Sequence, residues 1–183
     1  VYKRQLEDRK VTISRINIAI TYPCNFMFVA SMNPCPCGFY GSKEKECTCS
    51  PQAIQRYMGK ISGPLLDRID IHVEVDSISY DDLRDESLSE DSASVRARVN
   101  AARELQKTRY ADSGIYSNAQ MNNSQIKEFC RIVDESAALI KTSFEKFRMS
   151  ARAYSRILKV ARTIADLETC EQISSAHIAE AIQ

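Results

Sequence analysis

The sequence predicts a two-part chain: a mixed α/β segment with few strands, short helices and a cysteine-rich loop, followed by an all-helical bundle. Three observations predict it. Apolar residues alternate with period two at 11–15 and again at 69–75, where Ile69, Ile71, Val73 and Val75 share one side. From about residue 92 the apolar period becomes helical. Between these stretches, residues 76–91 are acidic and serine-rich, the composition of a connection. The expected boundaries are 1–78 for the α/β part, 79–91 for the linker and 92–183 for the helical part.

The elements follow in order. Residues 11–15 (VTISR) read as a strand, and the mostly apolar run 25–32 as a second. Ser50 and Pro51 supply an N-cap and a proline at the first helical position, opening a helix over 52–58. Gly63 and Pro64 start another short helix, and 69–75 is a strand. Beyond the linker, Val95, Val99 and Ala102 mark one helix face. Ile126, Phe129, Cys130 and Val133 mark a second at i, i+3, i+4, i+7, and Ala137, Ile140, Phe144 and Phe147 a third. A long fourth helix begins at Ser150 and buries Tyr154, Ile157, Leu158, Ala161, Ile164 and Ala165. Ser174 caps a last helix, with Ile173 and Ile178 stapled across the cap. No such helix buries its stripe alone, so a small bundle is expected.

Composition excludes several classes. At 44% hydrophobic the chain can bury a core, and no apolar run approaches the ~18 residues of a membrane span. A net charge of +1 makes the whole chain a poor electrostatic magnet for nucleic acid, so any such role needs local basic faces or many copies in a ring. The chain opens in mid-pattern with Val1-Tyr2-Lys3-Arg4 and no signal sequence, which reads as a fragment of a cytoplasmic protein. Seven cysteines, four of them in one loop, favour a reduced compartment and metal binding over disulfides.

Those four carry the most constrained chemistry. Cys35/Cys37 and Cys47/Cys49 form a C-x-C-x9-C-x-C pattern, with Gly38 and Gly41 letting the chain double back. Four thiolates suit a structural zinc ion and leave no open position for catalysis. A metal-free thiol cluster is the alternative. Lys43 and Lys45 would offset part of the negative charge. Cys130 and Cys170 fall on apolar helix faces and read as small buried hydrophobes, and Cys24 is uninformative.

Three polar groups stand at element ends. Asn33 closes the apolar run, where an α/β sheet binds ligands, and its amide can orient a water; on spacing alone a turn residue before Pro34 is the stronger reading. Arg68 lies between Asp67 and Asp70, as an ion pair or as a cation reaching a neighbour's phosphate. Arg152 falls in the first turn behind Ser150, where the helix dipole disfavours a cation unless an anion is near. Arg156 and Lys159 continue that face, which also fits a solvated basic surface. No G-x-x-x-x-G-K-[ST] loop and no strand ending in Asp-Glu occurs, so the phosphate-gripping and magnesium-holding parts of a nucleotide site are missing. His72 and His177 read as structural.

Met32-Asn33-Pro34, the four-cysteine loop, Leu65-Leu66-Asp67-Arg68-Ile69-Asp70 and the helix from Ser150 to Leu167 together resemble the magnesium-chelatase-like AAA+ ATPases of the ComM/YifB type. The resemblance covers nearly the whole chain. It implies the C-terminal part of an AAA+ core followed by a helical lid, with Arg4 to Asp8 ending a core helix. Asn33 would be sensor 1, Arg68 the arginine finger and Arg152 the sensor 2 arginine, with Arg156 beside it at the nucleotide. It further implies a ring, usually hexameric, that couples ATP and magnesium to DNA remodelling such as branch migration in natural transformation. The hairpin over 10–18 would contact DNA through Lys10 and Arg15. Without its nucleotide-gripping half, the fragment would not hydrolyse ATP alone. A zinc-stabilised interaction module, or the motor subunit of a metal chelatase, are the competing expectations.

Overall fold

Alternation at 11–15 does produce a strand. In the computed structural model, β1 (Lys10–Arg15) pairs antiparallel with β2 (Ile18–Pro23), Ile13 opposite Ile20 and Arg15 opposite Ile18. The structure describes residues 9–16, 18–75, 80, 84 and 90–183, and the chain divides into two compact units, Val1–Asp85 and Glu86–Gln183. The proposed core-helix tail at 4–8 and most of the acidic linker lie outside the described residues. Period two puts Val11, Ile13, Ile18, Ile20 and Tyr22 on one face of the hairpin and Thr12 and Thr21 on the other, where their hydroxyls meet at 2.9 Å.

Helix α1 (Pro51–Met58) starts as its sequence requires. Ser50 accepts from the Ala53 N–H at 3.3 Å, and Pro51 occupies the first turn where its missing N–H costs nothing. The four-residue α2 (Gly63–Leu66) follows. The two other expected strands are absent: 25–32 and 69–75 form no regular structure, and Met27, Val29, Val73 and Val75 are exposed. A strand is completed by the ladder of its neighbour, and among the described residues the hairpin is the only sheet. Period-two patterning therefore marks segments able to pair, without supplying the partner.

The second unit is helical throughout: α3 (Ser92–Arg109), a 3₁₀ turn (Asn118–Gln120), α4 (Asn123–Phe129), α5 (Asp134–Phe147), α6 (Ala151–Leu167) and α7 (Ser175–Ile182). Caps fix the starts. Asp91 accepts from Ser94, Ser150 from Ala153, and Asn122/Gln125 and Ser174/His177 form reciprocal capping boxes. Ile173 and Ile178 are both buried, as a staple across the last cap requires. Ile173 also bridges to Ile132, tying the segment before α5 to the start of α7.

Helix α6 is the centre, packing against α3, α4, α7 and the 3₁₀ turn. Its Ile157, Leu158, Ala161 and Ala165 join Tyr110, Met121, Ile126, Cys130, Ile140, Ile173 and Ile178 in one core, with Tyr110 and Phe129 edge-to-face at 5.4 Å. The stripes are trimmed at their ends. Helix α4 stops at Phe129, leaving Cys130 as its cap and Val133 as the exposed N-cap of α5. Val95, Val99, Phe144, Phe147 and Tyr154 also remain substantially exposed, because no described element covers those faces.

Periodicity gave no sign of a polar hub in this core. Asp166 is fully buried and accepts from Arg109, from Asn118 at 2.8 Å, from Gln106 at 3.2 Å and from Arg162 at 3.1 Å. Arg162, itself buried, also donates to the Cys170 and Glu171 carbonyls in the loop that follows α6. One carboxylate thus joins α3, the 3₁₀ turn, α6 and the loop into α7. Burial alone would raise the Asp166 pKa, but hydrogen bonds from Arg109 and Asn118 and the two guanidinium charges outweigh it and hold it below the ordinary range. A depressed folded pKa contributes stability that is present above the unfolded value of about 4 and lost as pH falls through the folded one. Asp166→Ala removes the only carboxylate that buried Arg162 and half-buried Arg109 share among the described residues, and is expected to destabilise this unit by about 3–5 kcal/mol. Urea unfolding followed by circular dichroism should also show much of the wild-type acid sensitivity below about pH 4 gone from the variant.

Candidate functional site

The four cysteines of the loop come together. Cys35 Sγ lies 3.3 Å from Cys37 Sγ and 3.7 Å from Cys47 Sγ, Cys37 and Cys47 are 3.5 Å apart, and all four sulfurs including Cys49 fall within 4.8 Å of one another. Local turns bring this about. Gly38 donates to the Cys35 carbonyl at 3.1 Å with φ +85°, and Gly41 takes φ +83°, both in the left-handed region that glycine enters without strain. The Ser42 hydroxyl then accepts from the Glu44 and Lys45 N–H groups. Of the two lysines expected to offset charge, Lys45 stacks its ammonium 4.4 Å over the Phe39 ring.

The donor set fits a zinc ion. Four sulfurs about 2.3 Å from a tetrahedral centre stand about 3.8 Å from one another, close to the separations seen. Four sulfurs this close do not all ionise unaided. The Phe39 N–H and the Cys35 side chain pull Cys37 down to about 5. Cys35 is also lowered: burial would raise it, and hydrogen bonds from backbone groups and Cys47 oppose this. At Cys47 the Cys49 N–H favours the thiolate, yet lost hydration and the Cys37 and Cys35 sulfurs push it up to about 12; Cys49 is raised chiefly by lost hydration. A divalent cation held by these sulfurs would let all four act as thiolates.

Asn33, at the exposed head of this loop, lies against its first turn. Arg68 follows α2 at a half-buried position, and its Nη1 donates to the Pro64 carbonyl one turn back. Arg152 occupies the second position of α6 behind the Ser150 cap and is exposed; Arg156 sits one turn on, half-buried. Lys159 on the same face gives its ammonium to the Ala119 carbonyl at 3.1 Å, a bond within the bundle. Asn33 and Arg68 belong to the first unit, Arg152 and Arg156 to the second. Lys10 and Arg15 lie at opposite ends of β1, about 17 Å apart in an extended strand, and on opposite faces of the hairpin.

Two further groups resolve by geometry. Glu168, Cys170 and His177 also bring ligand atoms within 4.8 Å. His177 Nδ1 accepts from the Ser174 N–H at 3.0 Å, so the ring proton sits on Nε2, 2.9 Å from Glu168. That leaves no ring lone pair for a metal or for activating Cys170, and His177 is structural. Cys130 is buried and its thiol pushed up to about 11 by that burial, as a small hydrophobe should be. Cys170, by contrast, is exposed and beyond the end of α6, not on an apolar helix face.

Residues 89–183 match the family model described as "Magnesium chelatase, subunit ChlI C-terminal", and residues 1–83 match "Magnesium chelatase, subunit ChlI". The chain belongs to the magnesium chelatase ChlI family. Among its relatives, Competence protein ComM of Haemophilus influenzae is 40% identical over 181 residues, covering 98% of this chain and 34% of that protein. YifB of Escherichia coli is 36% identical over 181 residues, covering 98% of this chain and 35% of its own length. The chain therefore spans about a third of the length of the curated relatives it matches. No helix among the described residues is long and apolar enough to cross a membrane.

Proposed function

We propose that this chain is the C-terminal part of a ring-forming AAA+ ATPase, usually hexameric, that couples hydrolysis of magnesium-bound ATP to DNA remodelling of the ComM type. The observation that carries the reading is the pairing of the two family matches, in order along one chain. Asn33 follows an apolar segment, Arg68 follows a short helix, and Arg152 stands in the first turn of the helix that anchors the bundle. In this reading the Asn33 amide orders the attacking water. The Arg68 guanidinium stabilises charge on a neighbouring subunit's γ-phosphate. Arg152, supported by Arg156, senses the same group, and the dipole of the 17-residue α6 favours an anion there.

ATP and magnesium are gripped chiefly by a preceding part of the protein, which also supplies the strands that 25–32 and 69–75 are patterned to join. The four cysteines hold a structural zinc ion, which supplies cross-linking and no open coordination position. The 40% identity to Competence protein ComM over 98% of this chain supports a ComM-type role as the first reading, and the magnesium chelatase family models keep a chelatase motor subunit as the second. Arg15 beside the connection between the strands is the better placed of the two hairpin cations for DNA in a ring pore, with Lys10 at the opposite end of β1.

In the full-length protein, Arg68→Ala should cut ATP turnover by on the order of 10³-fold or more while leaving ATP binding intact; near-normal turnover refutes the assignment. Arg15→Ala combined with Lys10→Ala should weaken DNA binding and reduce its salt dependence by about one to two counterions. An unchanged salt slope removes the hairpin from the DNA path.

A further inference from the structure

Very little chain separates Asn33 from the first pair of sulfurs. Pro34 stands between Asn33 and Cys35, and Pro36 between Cys35 and Cys37. Each proline fixes its own φ near −65° and biases the residue before it toward extended backbone, so the 33–37 segment has few conformations open to it. Cys35 is 0% exposed and is the only buried residue among the described residues of its unit. The Gly38 N–H closes the turn onto the Cys35 carbonyl. This brings Gly38 near the Asn33 amide: a β-carbon built on Gly38 would stand 3.7 Å from Asn33 Nδ2 and 4.0 Å from its Cγ. The Asn33 side chain thus lies beside a turn that carries two sulfur donors only 3.3 Å apart.

We infer that the four-cysteine loop is the positioning device for Asn33: a cation held by Cys35, Cys37, Cys47 and Cys49 fixes the 33–38 turn and, through it, the Asn33 amide. This rests on the zinc and phosphate-facing readings above and adds a link between them. Cys47 and Cys49 close the far end of the loop onto the turn. Without a cation to cross-link its two ends, the loop between residues 35 and 49 regains chain entropy, so the turn loosens. Asn33 is a candidate catalytic residue; the cysteines act through it.

The C47S/C49S double variant removes two donors at the far end of the loop and leaves residues 33–38 unchanged. Hydrogen–deuterium exchange on the 183-residue chain, loaded with zinc and then stripped by a chelator, reads the order of the turn directly. Amides of Cys35, Cys37 and Gly38 should exchange about 5-fold faster or more on stripping, with the helical unit unaffected. Returning zinc should restore protection in the wild type and not in the variant. In the full-length protein the same variant should lower kcat for ATP and leave ATP affinity unchanged. Unaltered exchange at 35–38 after zinc removal overturns the inference, as does a double variant with wild-type kcat. Normal turnover in Asn33→Ala refutes the water-ordering role of Asn33 instead, and the exchange result still decides whether the metal orders the turn.

Discussion

Four sulfur atoms drawn within 4.8 Å of one another are the constraint on which the first unit depends. Among its described residues it buries only Cys35, and its apolar side chains on the hairpin, at 25–32 and at 69–75 stay largely in solvent. A segment with so little apolar burial has little hydrophobic stabilisation to set against chain entropy. In the proposed reading, cross-linking through a metal would offset that deficit by closing the loop between residues 35 and 49. The left-handed glycines at 38 and 41 and the prolines at 34 and 36 shape the chain for that closure before any cation arrives.

The second unit solves the same problem by different means. It has a continuous apolar core on α6, and within it a carboxylate that four side chains from α3, the 3₁₀ turn and α6 share. A buried charge cluster is a poor source of net stability, but it is demanding in geometry: each donor has one place to stand. The consequence for function is that α6 is held rigidly along its C-terminal half, while its first turn, bearing Arg152, remains at the surface. If Arg152 meets a phosphate as proposed, a fixed backbone reduces what is spent on ordering it when the ligand binds.

How much of this was legible in the sequence differs by element. Helix starts were, because Ser50, Ser150 and Ser174 cap through their own side chains and need no partner elsewhere. The four-cysteine cluster was, because two C-x-C pairs and two glycines specify a closed loop locally. Strands 25–32 and 69–75 were not, because alternation marks a face while hydrogen bonding needs a second strand. Asp166 and Arg162 were missed although both lie beside Leu158, Ala161 and Ala165 in the apolar stripe. Charges four apart within such a stripe were the available signal, whereas their partners Arg109 and Asn118 are 48 to 57 residues away. The roles of Asn33, Arg68 and Arg152 came from resemblance, and geometry adds where each stands.

The chain belongs to the ChlI family, and a sulfur-bound cation is proposed in its cysteine loop, beside the residue proposed to order water. Zinc K-edge X-ray absorption on the zinc-loaded chain tests that claim most directly. The account predicts four sulfur neighbours at about 2.3 Å in a single shell. A shell of oxygen or nitrogen neighbours at about 2.0 Å would contradict it, because the metal would then be held somewhere other than Cys35, Cys37, Cys47 and Cys49.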